Sequence, residues 1–237
     1  MTRAARVAWH ECADEHRWSE TAAAAVADVL RAALDEPGDA CLLLSGGSTP
    51  APVYRRLAGR PLDWSRVVVG LVDERDVEPD DDGSNARLVR ECLQREAAAV
   101  ARFDPLRAAG QPLSAALAQA NARLRGLRVA ACVLGMGDDG HTASLFPQAV
   151  DLDAALASRE PYATLDASRS AVAGRYVYRI GLTPAGIALA AHRILLIRGA
   201  TKRAVFERAL HDGAVRELPI RAVLDLPGAP LHVYWSP

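Results

Sequence analysis

The sequence predicts an α/β fold, a mainly parallel open sheet flanked by helices in three layers, built as one domain over residues 1–237. Three observations predict it. Apolar runs too short to be helices recur at 40–44, 66–72, 128–134 and 193–198. Stretches with helical spacing lie between them, and strands that alternate with helices pair in parallel through helical crossovers. A chain of 237 residues, 50% of them apolar, can bury a full core, and no repeat or low-complexity linker divides it.

Taken in order, residues 4–9 read as a short first strand, and Ser19 can cap a helix over 21–34 that Pro37-Gly38 closes. The run at 40–44 is followed by Ser45-Gly46-Gly47-Ser48-Thr49-Pro50, after which helical spacing begins at Val53 and Leu57. The strand at 66–72 ends in Asp73-Glu74-Arg75-Asp76 and enters an acidic loop, 78–83, that reads as solvated. Ser84 or Asn85 caps a helix that turns Ala86, Leu88, Val89, Cys92 and Leu93 inward, and another helix covers about 112–125. The strand at 128–134 feeds glycines at 135, 137 and 140, the pattern of a buried strand whose end turns tightly and lets backbone approach a ligand. Residues 148–169 lack periodicity and are expected to form a lid or long connection, within a wider segment reaching 174. Residues 175–183 alternate as a strand, Pro184 opens a helix through 191, and the strand at 193–198 leads through Gly199-Ala200-Thr201-Lys202 into a helix over 203–210. A final strand covers 231–235.

Charge and composition exclude several function classes. The net charge of −1 arises from 28 basic and 29 acidic residues with no basic block, so nucleic acid is not an expected partner. No apolar run approaches the roughly 18 residues of a membrane span, and the first residues lack the apolar core of a signal peptide; a cytoplasmic protein without a membrane partner is expected. Cys12, Cys41, Cys92 and Cys132 are widely spaced with no C-x-x-C pair and read as buried free thiols. Only one of the basic residues is a lysine, Lys202, which hints at a specific task for a compact point charge.

The chemistry-bearing residues gather where strands end. The loop at 45–50 offers backbone N–H groups, a helix N-terminus and the hydroxyls of Ser45, Ser48 and Thr49; it reads either as a phosphate cradle or as a plain turn between strand and helix. It matches neither of the glycine-rich nucleotide fingerprints. Asp73 and Arg75 follow the next strand, Asp138, Asp139 and His141 the next, and Lys202 the last. In an open α/β sheet ligands bind at the carboxyl ends of strands. A pocket with an anion cradle, cations, a carboxylate and an imidazole suits a small phosphorylated sugar, as enzyme or as sensor. No second histidine or cysteine stands near His141 at ligand spacing, so no metal and no cofactor are expected.

At these residues the chain resembles the 6-phosphogluconolactonases of the oxidative pentose phosphate pathway. The resemblance rests on Leu44-Ser45-Gly46-Gly47-Ser48-Thr49-Pro50, on Val72-Asp73-Glu74-Arg75 with Ser84-Asn85, on the run from Leu134 to Pro147 (L-G-M-G-D-D-G-H-T-A-S-L-F-P), and on Arg179-Ile180-x-Leu182-Thr183 with Gly199-x-x-Lys202. It implies a Rossmann-like fold of the type shared with glucosamine-6-phosphate deaminases, and hydrolysis of 6-phospho-D-glucono-1,5-lactone to 6-phosphogluconate, the second step of that pathway. Carried over residue by residue, it implies that Gly46, Gly47, Ser48 and Thr49 face the phosphate with Arg75, Arg179 and Lys202, and that His141 is the catalytic base. Asp139 would orient the imidazole or the water, and Asp73 would bind hydroxyls or assist. The chain departs from the family pattern at Gly181, where threonine is common, at Gln148, where glycine is usual, and at its end, which lacks an acidic residue.

Two rival functions share these residues. Amino-sugar phosphate isomerase/deaminases resemble the chain in the glycine loop, Asp73 and Asp139-Gly140-His141, but carry a glutamate shortly after the histidine for proton transfer; Leu145-Phe146-Pro147 stands there instead. A non-catalytic sugar-phosphate sensor would use the same pocket without turnover. Assembly state is not legible.

Overall fold

The computed structural model describes residues 2–237. Along the chain the elements are β1 (Val7–Glu11), α1 (Glu15–Leu34), β2 (Ala40–Leu44), α2 (Ala51–Ala58), β3 (Val67–Leu71) and β4 (Asp73–Arg75). They continue with α3 (Asn85–Cys92), β5 (Arg102–Phe103), α4 (Leu113–Arg125), β6 (Val129–Gly135), α5 (Leu152–Ala157), β7 (Tyr162–Asp166) and β8 (Tyr178–Leu182). The last are α6 (Pro184–Ile187), β9 (His192–Arg198), α7 (Gly199–Leu210), α8 (Ile220–Leu224) and β10 (Leu231–Ser236).

Seven strands form one parallel sheet in the order β1-β10-β9-β6-β2-β3-β5. All five residues of β2 and all five of β3 are buried, as are six of the seven in β6. Strands covered by helices on both faces must be apolar on both, which is why they read as unbroken runs rather than alternating ones. From β2 the chain builds outward to β3 and β5 on one side, then returns to add β6, β9 and β10 on the other, where β10 pairs with the edge strand β1. The order therefore reverses between β2 and β6, and a crevice opens at the carboxyl ends of such a pair.

A second, antiparallel sheet, β4-β8-β7, branches from the first at one residue. The Val72 N–H donates to Leu44 O at the end of β2 (2.9 Å), and its carbonyl accepts from Leu182 N on β8 (2.9 Å). The Tyr162 hydroxyl on β7 also donates to Leu71 O, at 2.6 Å. A small apolar cluster of its own, with Leu145, Phe146, Leu152 and Leu165, backs this sheet.

Several expected boundaries are corrected. The helix expected from 21 begins at Glu15, because Asp14, not Ser19, is its cap: the Asp14 carboxylate accepts from Arg17 N at 2.7 Å. Ser19 is instead buried inside the helix and takes a hydrogen bond from Arg56 Nε. The first strand lies at Val7–Glu11, later than 4–9, after a single 3-10 turn. Ser84, of the two candidates, caps α3 through Arg87 N. The helix opened by Pro184 runs one turn to Ile187 rather than to 191, and α7 starts at Gly199 rather than 203, which puts Lys202 in its first turn. The segment expected as a lid or long connection holds α5 and β7; its strand is bracketed by the Asn121 side chain, which accepts from Tyr162 N and donates to Tyr162 O. In the acidic loop Asp80 and Asp82 are exposed as expected, whereas Asp81 is half-buried and accepts from Gly83 N and the Tyr176 hydroxyl. All four cysteines are free and buried, and burial pushes the Cys41 thiol up to about 12, so it stays protonated.

Candidate functional site

The strands that carry the polar ends, β9, β6, β2 and β3, are consecutive neighbours in the sheet, so their loops emerge side by side. They and β8 enclose a cavity of about 250 Å³. Of the residues singled out from the sequence, Gly46, Gly47, Ser48, Thr49, Asp73, Arg75, His141, Arg179 and Lys202 all line it. Asp139 stands behind His141 without lining the cavity, and Asp138 is exposed and away from it. None of the described residues between 148 and 174, which include α5 and β7, lines it.

The glycine loop is fixed at both ends. Ser45 N donates to Val133 O at 3.0 Å, and the buried Tyr54 hydroxyl on α2 donates to Ser45 O at 2.8 Å. Gly47 has φ +91°, a conformation that costs other residues energy, and α2 follows at once. Residues 45 to 49 of the loop thus sit at the cavity wall.

His141 is oriented by its own turn. Its Nδ1 lies 2.5 Å from Asp139 Oδ1, which also accepts from His141 N at 3.1 Å. A carboxylate can only accept, so Nδ1 carries a proton, and Nε2 is the ring nitrogen turned away from Asp139. Gly137 leaves room for this fold-back: a Cβ there would stand 2.2 Å from the imidazole. The ring packs on buried Phe146, centroids 4.2 Å apart. Burial pushes the Asp139 carboxyl up, but the hydrogen bond and charge of His141 outweigh it and hold it below the ordinary carboxylate value.

The cations come from two directions. Arg179, 5% exposed, projects from β8, where Arg75 on β4 is its register partner. Its guanidinium lies 4.8 Å over the opposite neighbour of the imidazole, the Phe146 ring, and 4.0 Å from Asp73 Oδ2. Burial lowers its pKa while Asp73 raises it, yet an arginine keeps its charge. Arg75 donates to Gly83 O, and its buried Nε has no partner among the described residues. Lys202, in the first turn of α7, makes no ion pair among the described residues.

Two residues of the site were not assigned a role from the sequence. The Ser144 hydroxyl donates to Asp73 Oδ2 at 2.5 Å, a contact across 71 residues that no local pattern announces. Ala143 and Ser144 have φ of 51° and 61°, and Leu145 N bonds Thr142 O at 2.8 Å, the geometry of a type I′ turn made without glycine. Non-glycine residues held there cost of order 1 kcal/mol each and concentrate at functional sites. Asn85 is the other; its carboxamide lies over Gly46, and the sequence offered it as a cap and as part of the family motif, without a role in the site. A larger, open hollow of about 640 Å³ adjoins across Arg75 and Asn85.

Three buried atoms on residues that line this cavity, Ser45 Oγ, Arg75 Nε and Asn85 Oδ1, lack partners among the described residues. No group of three or more His, Cys, Asp or Glu suited to a metal occurs among the described residues, and no helix among them is long and apolar enough to cross a membrane.

The chain is 44% identical over 232 residues to the 6-phosphogluconolactonase of Xylella fastidiosa, covering 98% of this chain and 97% of that one. It is 42% identical to the 6-phosphogluconolactonase of Pseudomonas putida, over 98% of this chain and 94% of that protein. The crystal structure of a 6-phosphogluconolactonase from Shewanella baltica superposes with a TM-score of 0.91 at 33% identity, covering 98% of both chains. The family model described as glucosamine-6-phosphate isomerases/6-phosphogluconolactonase matches residues 13–235, and the chain belongs to that family.

Proposed function

We propose that the chain hydrolyses 6-phospho-D-glucono-1,5-lactone to 6-phospho-D-gluconate, as a single-domain cytoplasmic enzyme of the oxidative pentose phosphate pathway. The observation that carries this reading is an imidazole, its Nδ1 committed to Asp139, in one cavity with a glycine loop and the cations Arg179, Arg75 and Lys202.

The phosphate sits against Gly46, Gly47, Ser48 and Thr49, neutralised by the three cations. Anchoring the far end of the substrate turns the attack of water into an oriented step. His141 Nε2 takes a proton from water as its oxygen bonds to the lactone carbonyl carbon, and the carbonyl electrons move onto oxygen. The intermediate then collapses: the bond from that carbon to the ring oxygen breaks, and the imidazolium returns its proton to the ring oxygen. Asp139 holds the imidazole in the tautomer this needs and stabilises the transient cation. General base catalysis of this kind contributes typically about 10² to 10⁴-fold. Asp73 is tied by Ser144 and Asn85, so it organises the wall rather than moving a proton.

Phe146 argues against the deaminase reaction, because a ring with 1% exposure between His141 and Arg179 cannot carry a proton. The test is hydrolysis of freshly prepared lactone by the purified protein, beside calorimetric binding of 6-phosphogluconate. Accelerated ring opening establishes the lactonase. Binding without turnover would leave the sensor reading, and release of ammonia from glucosamine 6-phosphate would establish the deaminase.

A further inference from the structure

We infer that Tyr176 is a positioning residue for Arg75: its ring and hydroxyl lock the Gly83 peptide that holds the guanidinium, and so set the affinity for the phosphorylated end of the substrate. This rests on the lactonase reading above, in which Arg75 meets the phosphate.

Tyr176 lines the open hollow and not the cavity, so its side chain works through a neighbour rather than on the substrate. Arg75 lines both and stands in the partition between them. Its Nη1 donates to Gly83 O, and its Nε is sealed without a partner among the described residues. Nη2 makes no hydrogen bond among the described residues and is not one of the sealed atoms, so it is the arm left for a ligand.

The Gly83 peptide is itself fixed by Tyr176. A Cβ on Gly83 would stand 2.3 Å from the tyrosine ring, so the ring lies directly on this glycine. Gly83 N donates to Asp81 Oδ1 at 2.6 Å, and the Tyr176 hydroxyl donates to the same oxygen at 2.9 Å. Tyrosine and carboxylate are thus tied to each other and both to Gly83. The ring also lies 5.8 Å from the Arg75 guanidinium, within cation–π range.

Arg179 is held differently. Its charge faces Asp73 Oδ2 at 4.0 Å, whereas Arg75 has no carboxylate partner among the described residues. A carbonyl and an aromatic ring anchor Arg75 without neutralising it, which leaves its charge for the phosphate. An arginine immobilised beforehand loses less side-chain freedom when the ligand arrives, and affinity gains by that difference. The Tyr176 main chain also serves the second cation, since Tyr176 O accepts from Arg179 Nε at 3.0 Å. That bond does not involve the tyrosine side chain, so a substitution at 176 is aimed at Arg75.

The test is a double-substitution cycle. Wild type, Arg75→Ala, Tyr176→Ala and the double variant are assayed on fresh lactone, with a melting curve for each. We expect Arg75→Ala to raise KM about tenfold, and Tyr176→Ala to raise it about threefold or more with kcat within about twofold. The double variant should match the KM of Arg75→Ala within about twofold, because a residue that acts through Arg75 then has nothing to act on. Effects that multiply in the double variant overturn the inference. So does a Tyr176→Ala variant with unchanged KM, including one whose kcat alone falls, the mark of a merely structural loss. If Tyr176→Ala does not fold, Tyr176→Leu, which keeps apolar bulk but lacks ring and hydroxyl, enters the same cycle on the same criterion. Wild-type protein that binds 6-phosphogluconate without opening the lactone overturns the lactonase reading instead; the cycle is then read in the calorimetric Kd of 6-phosphogluconate, and the same non-additivity decides it.

Discussion

In the seven-stranded sheet the central strands are buried and apolar, and every polar group of interest lies beyond a strand end, in a loop or, for Lys202, in the first turn of α7. In the three-stranded sheet the charged groups sit within the strands: Asp73, Glu74 and Arg75 make up β4, and Arg179 lies on β8 opposite Arg75. The first sheet's packing is thus independent of its chemistry, since the glycine loop, His141 and Lys202 can change without opening the core. In the second, hydrogen bonds do the work of packing. Glu74 accepts from Arg75 N, Asn85 N, Ala86 N and the Ser84 hydroxyl, and Asp73 accepts from Ser144 and Asn85. Such networks hold when complete and fail when one member is removed. Substitutions beyond the first sheet should therefore alter catalysis alone, and substitutions in the second should alter stability and catalysis together.

The largest expected effect separates the two. His141→Ala should lower turnover by at least about 100-fold while the thermal midpoint stays near that of the wild type, because the side chain lies in a loop and is half-buried. Steady-state rates on fresh lactone and a melting curve check both halves; near wild-type turnover removes the assigned base, and a large loss of stability breaks the contrast.

Next is Gly181, on β8 between Arg179 and the end of the strand. A Cβ there would stand 2.2 Å from Ala143 O, on the strained turn that carries Ser144 to Asp73. Gly181→Ala should cost about 1 to 3 kcal/mol of stability as an overpacked site and should also lower kcat/KM, because the displaced turn loosens Asp73. Denaturant unfolding and kinetics on the same preparation test this. A stable variant with full activity would show that the two sheets do not differ in this way.

What was legible in the sequence follows the same division. The strands of the first sheet announce themselves as apolar runs, and the loops at 45–50 and 135–141 and the start of α7 at Gly199 by their glycines. Lys202 was visible as the lone lysine. Of the second sheet only β8 was legible, as the alternating run at 175–183. β4 has three charged residues and no apolar run, β7 lay in a segment without periodicity, and the sheet is stitched by contacts between residues far apart in sequence, such as Tyr162 to Leu71 and Ser144 to Asp73. Asp14 was passed over for Ser19 because a cap is recognised by geometry, and both residue types qualify. Arg75 was visible as the cation after the strand at 66–72 and Arg179 was named through family resemblance, and the register pairing shows why they face one cavity.

Lys202→Ala should act at the third level. It removes a point charge from the first turn of α7 without a described ion pair to break, so KM should rise about tenfold, equivalent to about 1.4 kcal/mol, with the melting curve unchanged. A fall in kcat with KM constant would place the lysine at the reacting carbonyl and not at the phosphate.

The smallest expected effect is a pH dependence, and its sign follows from the depressed Asp139 carboxyl. A carboxyl whose folded value is lowered binds fewer protons in the folded state than in the unfolded one, so it stabilises the fold above its ordinary value near pH 4. That contribution is lost as pH falls through the depressed folded value. Asp139→Asn removes it at every pH. The difference in melting temperature between wild type and variant should therefore be present at pH 7 and shrink as the pH falls below about 4. A difference that stays constant over that range would mean that the Asp139–His141 contact is a neutral hydrogen bond without charge, and the first sheet's catalytic loop would then lack the electrostatic tie that sets it apart from the hydrogen-bonded wall opposite.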